Sequence, residues 1–262
     1  MLISEYQINP DHDIQQFTIA LVADLHGKPH QKVINSLNIY HPDYIAIVGD
    51  VVNRDDDTYP IDFFRQCANI SQSFFSLGNH ERKITDRQIN QIETTGTTVL
   101  DNNWIKVGQL VFGGMTSAFV TEWRETHRTV LHYANPDYRW LDEFEKQGGF
   151  KILLDHHPEN YERITKNRDI DLILSGHAHG GQIRIFNQGL YAPHQGFFPK
   201  YTSGVYDNRL VVSRGLANIK HIPRLWNSTE LVYITVSRTK ENKKEAQLAY
   251  YREDIIYELN PL

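Results

Sequence analysis

Five short apolar runs in this chain end abruptly in a residue type that binds metals, and that repeated ending constrains the fold more than anything else in it. Phe17-Thr-Ile-Ala-Leu-Val-Ala leads to Asp24-Leu-His26, Tyr44-Ile-Ala-Ile-Val-Gly to Asp50, and Phe74-Phe-Ser-Leu-Gly to Asn79-His80-Glu81. Phe150-Lys-Ile-Leu-Leu leads to Asp155-His156-His157-Pro158, and Leu172-Ile-Leu-Ser-Gly to His177-Ala-His179. A continuous apolar run bounded by turn residues reads as a strand buried on both faces. Between the first three runs lie helix-like segments at Gln31–Tyr40 and Pro60–Ile70, with another over 84–95 after the third. Strands alternating with helices predict an α/β layered sheet, and such sheets bind ligands at the carboxyl ends of their strands.

Further along, Thr97–Asp101 and Trp104–Gly113 read as two strands joined by an Asn102-Asn103 turn. Residues 115–138 have no clean period and read as a solvated connector helix or as a lid over a site. Asn135-Pro136 opens a helix carrying Trp140, Leu141 and Phe144 on one side and ending at Gly148-Gly149. From Gln182 onwards short strands follow one another without helices, which predicts an antiparallel meander that completes or faces the first sheet. No linker separates the two textures. The expectation is one domain over 1–262, with a core of about 16–236, an insertion at 115–138 and a carboxyl-terminal extension at 238–262.

Composition excludes several classes of function. The formal charge of −5 over 262 residues lacks the basic footprint of a nucleic-acid binder. Cys67 is the only cysteine, so no intrachain disulfide forms and a reducing compartment is expected. The first ten residues lack a basic start and a long apolar stretch, which argues against a signal peptide, and no run approaches the length of a membrane span. A cytoplasmic protein, with peripheral association at a membrane still open, is the expectation.

Thirteen histidines, several in the runs above, point to metal chemistry. In a strand, residues i and i+2 share a side, so Asp24 with His26, and His177 with His179, would each deliver two ligands to one small volume. An isolated Asp-X-His is usually incidental, and Gly-Asn79-His80-Glu81 alone could be a turn and a helix cap. Glycines at 176, 180 and 181 around His177-Ala-His179 allow the backbone to fold tightly about a ligand. His156 comes straight off its strand and is favoured over His157, which precedes Pro158. Asp24, His26, Asp50, Asn79, His156, His177 and His179 are too many for one ion and suit two ions sharing Asp50. Carboxylate, imidazole and amide donors without thiolates suit Mn, Fe or Zn. His132, His194 and His221 are read as ordinary surface or packing residues.

The ordered set Asp24-X-His26, Gly49-Asp50-X-X-Asn53, Gly78-Asn79-His80-Glu81, His156 and Gly176-His177-X-His179 resembles the calcineurin-like metallophosphoesterases over about residues 16–236. Leu153-Leu154-X-His156-X-Pro158, Gly176 through Gln182-Ile, Ala192 through Tyr201 and Val212-Ser-Arg-Gly-Leu216 look like that family's bacterial branch of small phosphodiesterases, which includes a UDP-diacylglucosamine pyrophosphatase. The resemblance implies a sandwich of two β-sheets flanked by helices. It implies one metal on Asp24, His26, Asp50 and His179, and another on Asp50, Asn79, His156 and His177. His80 would be the acid or phosphate contact, oriented by Asn53, where related phosphatases carry an aspartate. An amide orients that histidine without raising its pKa as an anion would. Arg54 occupies a phosphate-binding position, and Arg82 and Arg214 are further candidates for a second phosphate.

The implied reaction is hydrolysis of a phosphodiester or pyrophosphate bond, in a small molecule or a lipid headgroup, by hydroxide held on the metal pair. A phosphomonoesterase or protein phosphatase is the second reading and a non-catalytic scaffold the third; the complete ligand set disfavours the last. Magnitudes favour metals over a side-chain base. A positioned base supplies about 10²–10⁴-fold, roughly 3–5 kcal/mol. Lowering the pKa of water from about 15.7 to about 7 is worth on the order of 10 kcal/mol of nucleophile supply. Aromatic residues Phe119, Trp123, Tyr133, Tyr138, Tyr191, Phe197, Phe198 and Tyr201 are expected to rim the site.

Overall fold

Two six-stranded sheets lie face to face, and the apolar runs of the sequence supply their central strands. The computed structural model describes residues 1–53, 58–126, 138–218 and 223–238. In chain order these are β1 (Leu2–Ile8), β2 (Phe17–Val22), α1 (Gln31–Tyr40), β3 (Tyr44–Val48), α2 (Ile61–Ile70), β4 (Gln72–Ser76), α3 (Asp86–Glu93) and β5 (Thr98–Leu100). Then come β6 (Asn103–Val107), β7 (Leu110–Met115), α4 (Ala118–Thr126), α5 (Arg139–Glu145), β8 (Phe150–Asp155) and β9 (Leu172–Ser175). Two small hairpins follow, β10 (Arg184–Ile185) with β11 (Gln188–Gly189), and β12 (Tyr191–Ala192) with β13 (Gly196–Phe197). The last strands are β14 (Gly204–Tyr206), β15 (Leu210–Val212) and β16 (Glu230–Val236).

The first sheet runs β1-β16-β2-β3-β4-β5 and the second β14-β15-β9-β8-β7-β6. Alternation along each strand explains the layering. Ile19, Leu21, Ala46, Val48 and Phe74 meet Phe112, Ile152, Leu154 and Leu174 between the sheets. Their neighbours Ala20, Val22, Ile45, Ile47 and Phe75 face the other way, onto Val33, Ile34 and Leu37 of α1 and Phe63, Phe64 and Cys67 of α2. On the far side, Leu153 and Ile173 pack with Leu141 and Phe144 of α5. Strands apolar on both faces therefore sit between helices and the opposite sheet, as the resemblance implied.

Four sequence expectations are corrected. Trp104–Gly113 is not one strand: Gly108, in left-handed backbone, turns it into the β6–β7 hairpin, and the chain changes sheet between β5 and β6. The carboxyl-terminal third is not an antiparallel meander. β15 pairs parallel with β9, and β16 crosses to the first sheet, antiparallel to β2 and parallel to β1. The sheet also reaches to Leu2, ahead of residue 16, because β1 closes its edge against β16. Thr85 caps α3, accepting from the Gln88 amide, so that helix starts later than residue 84. Residues 118–126 are helical, whereas the rest of the insertion to 137, Asn135-Pro136 and the extension from 239 lie outside the described residues. Among the described residues no helix is long and apolar enough to cross a membrane.

Candidate metal centre

The carboxyl ends of β2, β3 and β4 are in register, with Val22 beside Ile47 and Val48 beside Ser76. Asp24, Asp50 and Asn79 follow these ends within three residues, at one edge of the first sheet. Strands β8 and β9 bring His156 and His177 to the facing edge of the second. The side chains are not presented by strand alternation. Asp24, His26, Asp50, His177 and His179 all take left-handed backbone, with φ of 56°, 48°, 55°, 62° and 46°. Each lies in a turn beyond its strand, so the i, i+2 geometry expected for these pairs is replaced by left-handed turns. Left-handed backbone at a non-glycine residue costs on the order of 1–3 kcal/mol and persists only where surroundings enforce it.

Glu81 is part of that enforcement. It is fully buried, and its two oxygens accept from the backbone amides of Asp50 (2.8 Å), Val51 (2.9 Å) and Gly78 (2.8 Å), with Val52 at 3.4 Å. One carboxylate thus fixes the turns after β3 and β4. Asp50 Oδ1 accepts in turn from the His80 amide at 2.8 Å. Close approach explains Gly49: in left-handed backbone, it leaves a space where a Cβ would stand 2.5 Å from His156 Nδ1.

Six of the seven candidate ligands, all but Asn79, fall into two groups of mutually close donor atoms. His26 Nε2 lies 3.4 Å from His179 Nε2, and His179 Nε2 lies 3.4 Å from Asp24 Oδ1. His156 Nε2 lies 3.2 Å from Asp50 Oδ2, and His26 Nε2 lies 3.9 Å from that same oxygen. Asp24, His26 and His179 form one group of mutually close donor atoms, and Asp50, His156 and His177 form another. Second partners select the tautomers: His156 Nδ1 donates to the Val48 carbonyl (2.8 Å) and His179 Nδ1 to that of Ala217 (3.2 Å), leaving both Nε2 atoms turned inward. Asn79 Oδ1 and His177 Nε2 are buried and make no hydrogen bond. Buried acceptors left without donors fit bound cations.

Charge states follow from burial. Burial pushes Asp24 up to about 7 against the pull of His156. Burial works against the His156 cation, but the Asp50 and Asp24 carboxylates raise it to about 10. Burial also opposes the Asp50 carboxylate, which the His156 and His80 imidazoles hold well below the usual range. His26 is lowered to about 4 and His177 and His179 well below their ordinary value, chiefly by burial, so these three stand as neutral ligands.

Other residues fall around this centre. His80 lies 3.8 Å from Asp50 Oδ2, its ring 4.4 Å from that of His26. Asn53 is half-buried at the end of the described loop, and Arg54 lies outside the described residues. Arg82 stacks on Trp123. Arg214 is buried with Nε 3.7 Å from Glu230. His157, passed over in favour of His156, also borders this centre: its Nε2 is 2.8 Å from Ser117 Oγ, its Nδ1 3.1 Å from Glu159, and its ring 4.2 Å from that of His177. His194, read as an ordinary packing residue, stacks on His177 at 5.3 Å, with Phe119 5.4 Å away. Of the expected aromatic rim, Tyr201 is buried in the core and Tyr133 lies outside the described residues.

Sequence reasoning missed three contributors. Glu81 stood inside a quoted motif, and its charge beside a buried strand was the available signal. Arg224 donates to the carbonyls of Arg214 (2.6 Å) and Ala217 (2.5 Å) and lies 3.3 Å from His179 Nδ1. Asn227 donates to the His179 carbonyl at 2.8 Å. Nothing in a polar loop marked either of these last two.

A profile of calcineurin-like phosphoesterases matches residues 17–181, more than half of the chain. The chain belongs to the calcineurin-like phosphoesterase family. It is 28% identical over 234 residues to an uncharacterized metallophosphoesterase of Campylobacter jejuni, covering 85% of this chain and 58% of that protein. It is 26% identical over 244 residues to the metallophosphoesterase YkuE of Bacillus subtilis, covering 87% and 82%. The chain therefore spans little more than half of the first relative and most of the second. A dimetal phosphatase structure from Danio rerio is similar with a TM-score of 0.41 at 11% identity, over 76% of this chain and 87% of that one. Calcineurin-like phosphoesterases bind a pair of divalent metals, and the two His/Asp groups provide donors for such a pair.

Two outcomes follow for the metal-free protein. Below about pH 7 Asp24 holds a proton, and His156 holds one up to about pH 10, so cation binding must displace both. Calorimetry in buffers of different ionisation enthalpy should show proton release throughout, larger at pH 6 than at pH 8, with affinity rising over that range. Binding without proton release would contradict the assigned charge states. Replacing Glu81 by Gln turns an amide NH₂ towards one pair of backbone donors and should cost about 3–5 kcal/mol at pH 8. Denaturant unfolding measures this; an unchanged midpoint would mean that Glu81 does not organise the two turns.

Proposed function

We propose that the chain is a hydrolase of phosphoric esters that uses a metal pair and prefers a phosphodiester or pyrophosphate. The observation that carries this reading is the pair of buried His/Asp groups meeting at Asp50. Asp24, His26 and His179 would hold one ion, Asn79, His156 and His177 the other, and Asp50 both. Two bound cations would supply a water of lowered pKa and neutralise charge on the phosphoryl oxygens.

The chain's own residues do the rest. The Val48 and Ala217 carbonyls fix the orientations of His156 and His179, so the imidazoles need not reorganise during reaction. His80, half-exposed beside Asp50 and His26, is placed to donate to a phosphoryl or leaving-group oxygen. On the same short stretch, Arg82 and Lys83 both sit over Trp123, at 5.7 and 5.3 Å, which makes a cationic and aromatic wall. Such a wall suits a leaving group larger than water, and it supports a diester or pyrophosphate over a small monoester. A UDP-sugar-type or lipid-headgroup pyrophosphate is within this class, and Mn, Fe or Zn suits the donors. A cytoplasmic location belongs to the same proposal, supported by a lone buried cysteine.

Asp50→Asn should abolish hydrolysis of a bis-aryl phosphate while leaving the fold intact, since Asp50 lies in a turn outside both sheets. In the unaltered protein a bis-aryl phosphate should turn over faster than a mono-aryl phosphate. Near-normal turnover by Asp50→Asn with excess metal would overturn the shared-ligand reading. A reversed substrate ratio would favour the monoesterase.

A further inference from the structure

Beside the proposed metal pair stand donors of metal type that the hydrolytic reading leaves unused. The turn after β8 carries His156 into the pair, and His157 and Glu159, which follow it, gather against His177. One donor atom from each of His157, Glu159 and His177 forms a mutually close group. Glu159 Oε1 lies 3.1 Å from His157 Nδ1 and 3.9 Å from His177 Nε2. Donor atoms bonded at about 2.0–2.1 Å to a tetrahedral zinc stand roughly 3.3 Å from one another. The two observed separations bracket that edge.

Two further observations point to a ligand here. His177 is only 4% exposed, and among the described residues its Nε2 has no hydrogen-bond partner; the buried Glu159 Oε2 has none either. Buried polar atoms are nearly always satisfied, so orphans on adjacent residues mark a place for something the protein does not supply. In addition, Ser117 Oγ lies 2.8 Å from His157 Nε2 and can accept its proton, which leaves Nδ1 as the ligand nitrogen. The Val48 and Ala217 carbonyls serve His156 and His179 in the same way, by engaging the other ring nitrogen. The group borders solvent, since the exposed His194 of the β12–β13 turn stacks on His177 at 5.3 Å.

We propose that His157, Glu159 and His177 form a third cation site, of zinc type, that competes with the metal pair for His177. Two imidazoles and one carboxylate suit zinc, and such a set binds zinc more tightly than manganese. A neutral imidazole has one ring nitrogen with a free lone pair, so His177 serves one ion at a time. Zinc seated beside Glu159 therefore takes His177 from the ion that Asn79 and His156 would hold, and excess zinc inhibits. The competition rests on the metal-pair reading, whereas the position of the zinc does not, so the two can fail separately.

The test is anomalous scattering at the zinc edge from manganese-loaded crystals of the full chain soaked in zinc, alongside the variant Glu159→Gln. Glutamine keeps the side-chain length and an oxygen for His157, so the variant should keep its melting temperature. The unaltered chain should show a zinc maximum among His157, Glu159 and His177, with less manganese beside Asn79 and His156. Glu159→Gln should need about tenfold or more zinc for the same occupancy. The site is overturned if zinc appears only within the pair in the unaltered chain, or if the variant fills equally at the same zinc concentration. A zinc maximum at the three residues with manganese undiminished would overturn the competition. Were manganese absent before the soak, the metal-pair reading would fall, while the zinc maximum would still decide the site.

Discussion

Glu81 takes the amides of Asp50, Val51 and Gly78 on one buried carboxylate, and the candidate centre depends on that convergence. The turns after β3 and β4 would otherwise leave these N–H groups unsatisfied in a site closed to water, at about 1–3 kcal/mol each. With them satisfied, Asp50 is held in left-handed backbone with Oδ2 3.2 Å from His156 Nε2. The Asp50 side chain then accepts from the His80 amide, which ties the adjacent turn to the same point. One anion thus positions a second.

Burying Asp24, Asp50 and Glu81 together is costly, and the fold meets the cost differently for each. Glu81 has backbone donors; even so, burial and the nearby Asp50 push it up to about 7. Asp50 has the His156 and His80 imidazoles. Asp24 has the His177 amide at 3.1 Å and the pull of His156, but burial outweighs both and raises it to about 7. A set of acceptors organised in advance but short of positive charge is the electrostatic complement of a cation pair. The strained turns and orphaned ligand atoms, costly to an isolated chain, are what such a pair would use.

Much of this was legible because chemistry and fold coincide in the sequence. Each apolar run is a strand, and each run ends where the sheet ends, so the terminal residues come together at one edge as the candidate centre. Strands alternating with helices predicted a layered α/β sheet, and the sandwich of two sheets between helices came from the family resemblance. The carboxyl-terminal third was misread because local turn signals give no information about partners. β15 and β16 look like consecutive hairpin strands, yet they lie in different sheets, a long-range pairing set by packing against β9 and β2. His157 and His194 were set aside for a similar reason, since only the folded loops bring them against His177. Arg224 and Asn227 act through backbone carbonyls, which have no sequence signature.

The central claim is that two cations share Asp50 between the groups led by Asp24 and His156. Anomalous scattering from crystals grown with manganese tests it most directly. The account predicts two maxima, one beside Asp24, His26 and His179 and the other beside Asn79, His156 and His177, with Asp50 reaching both. A single maximum, or one displaced towards His157 and Glu159 with Asp50 unengaged, would contradict it.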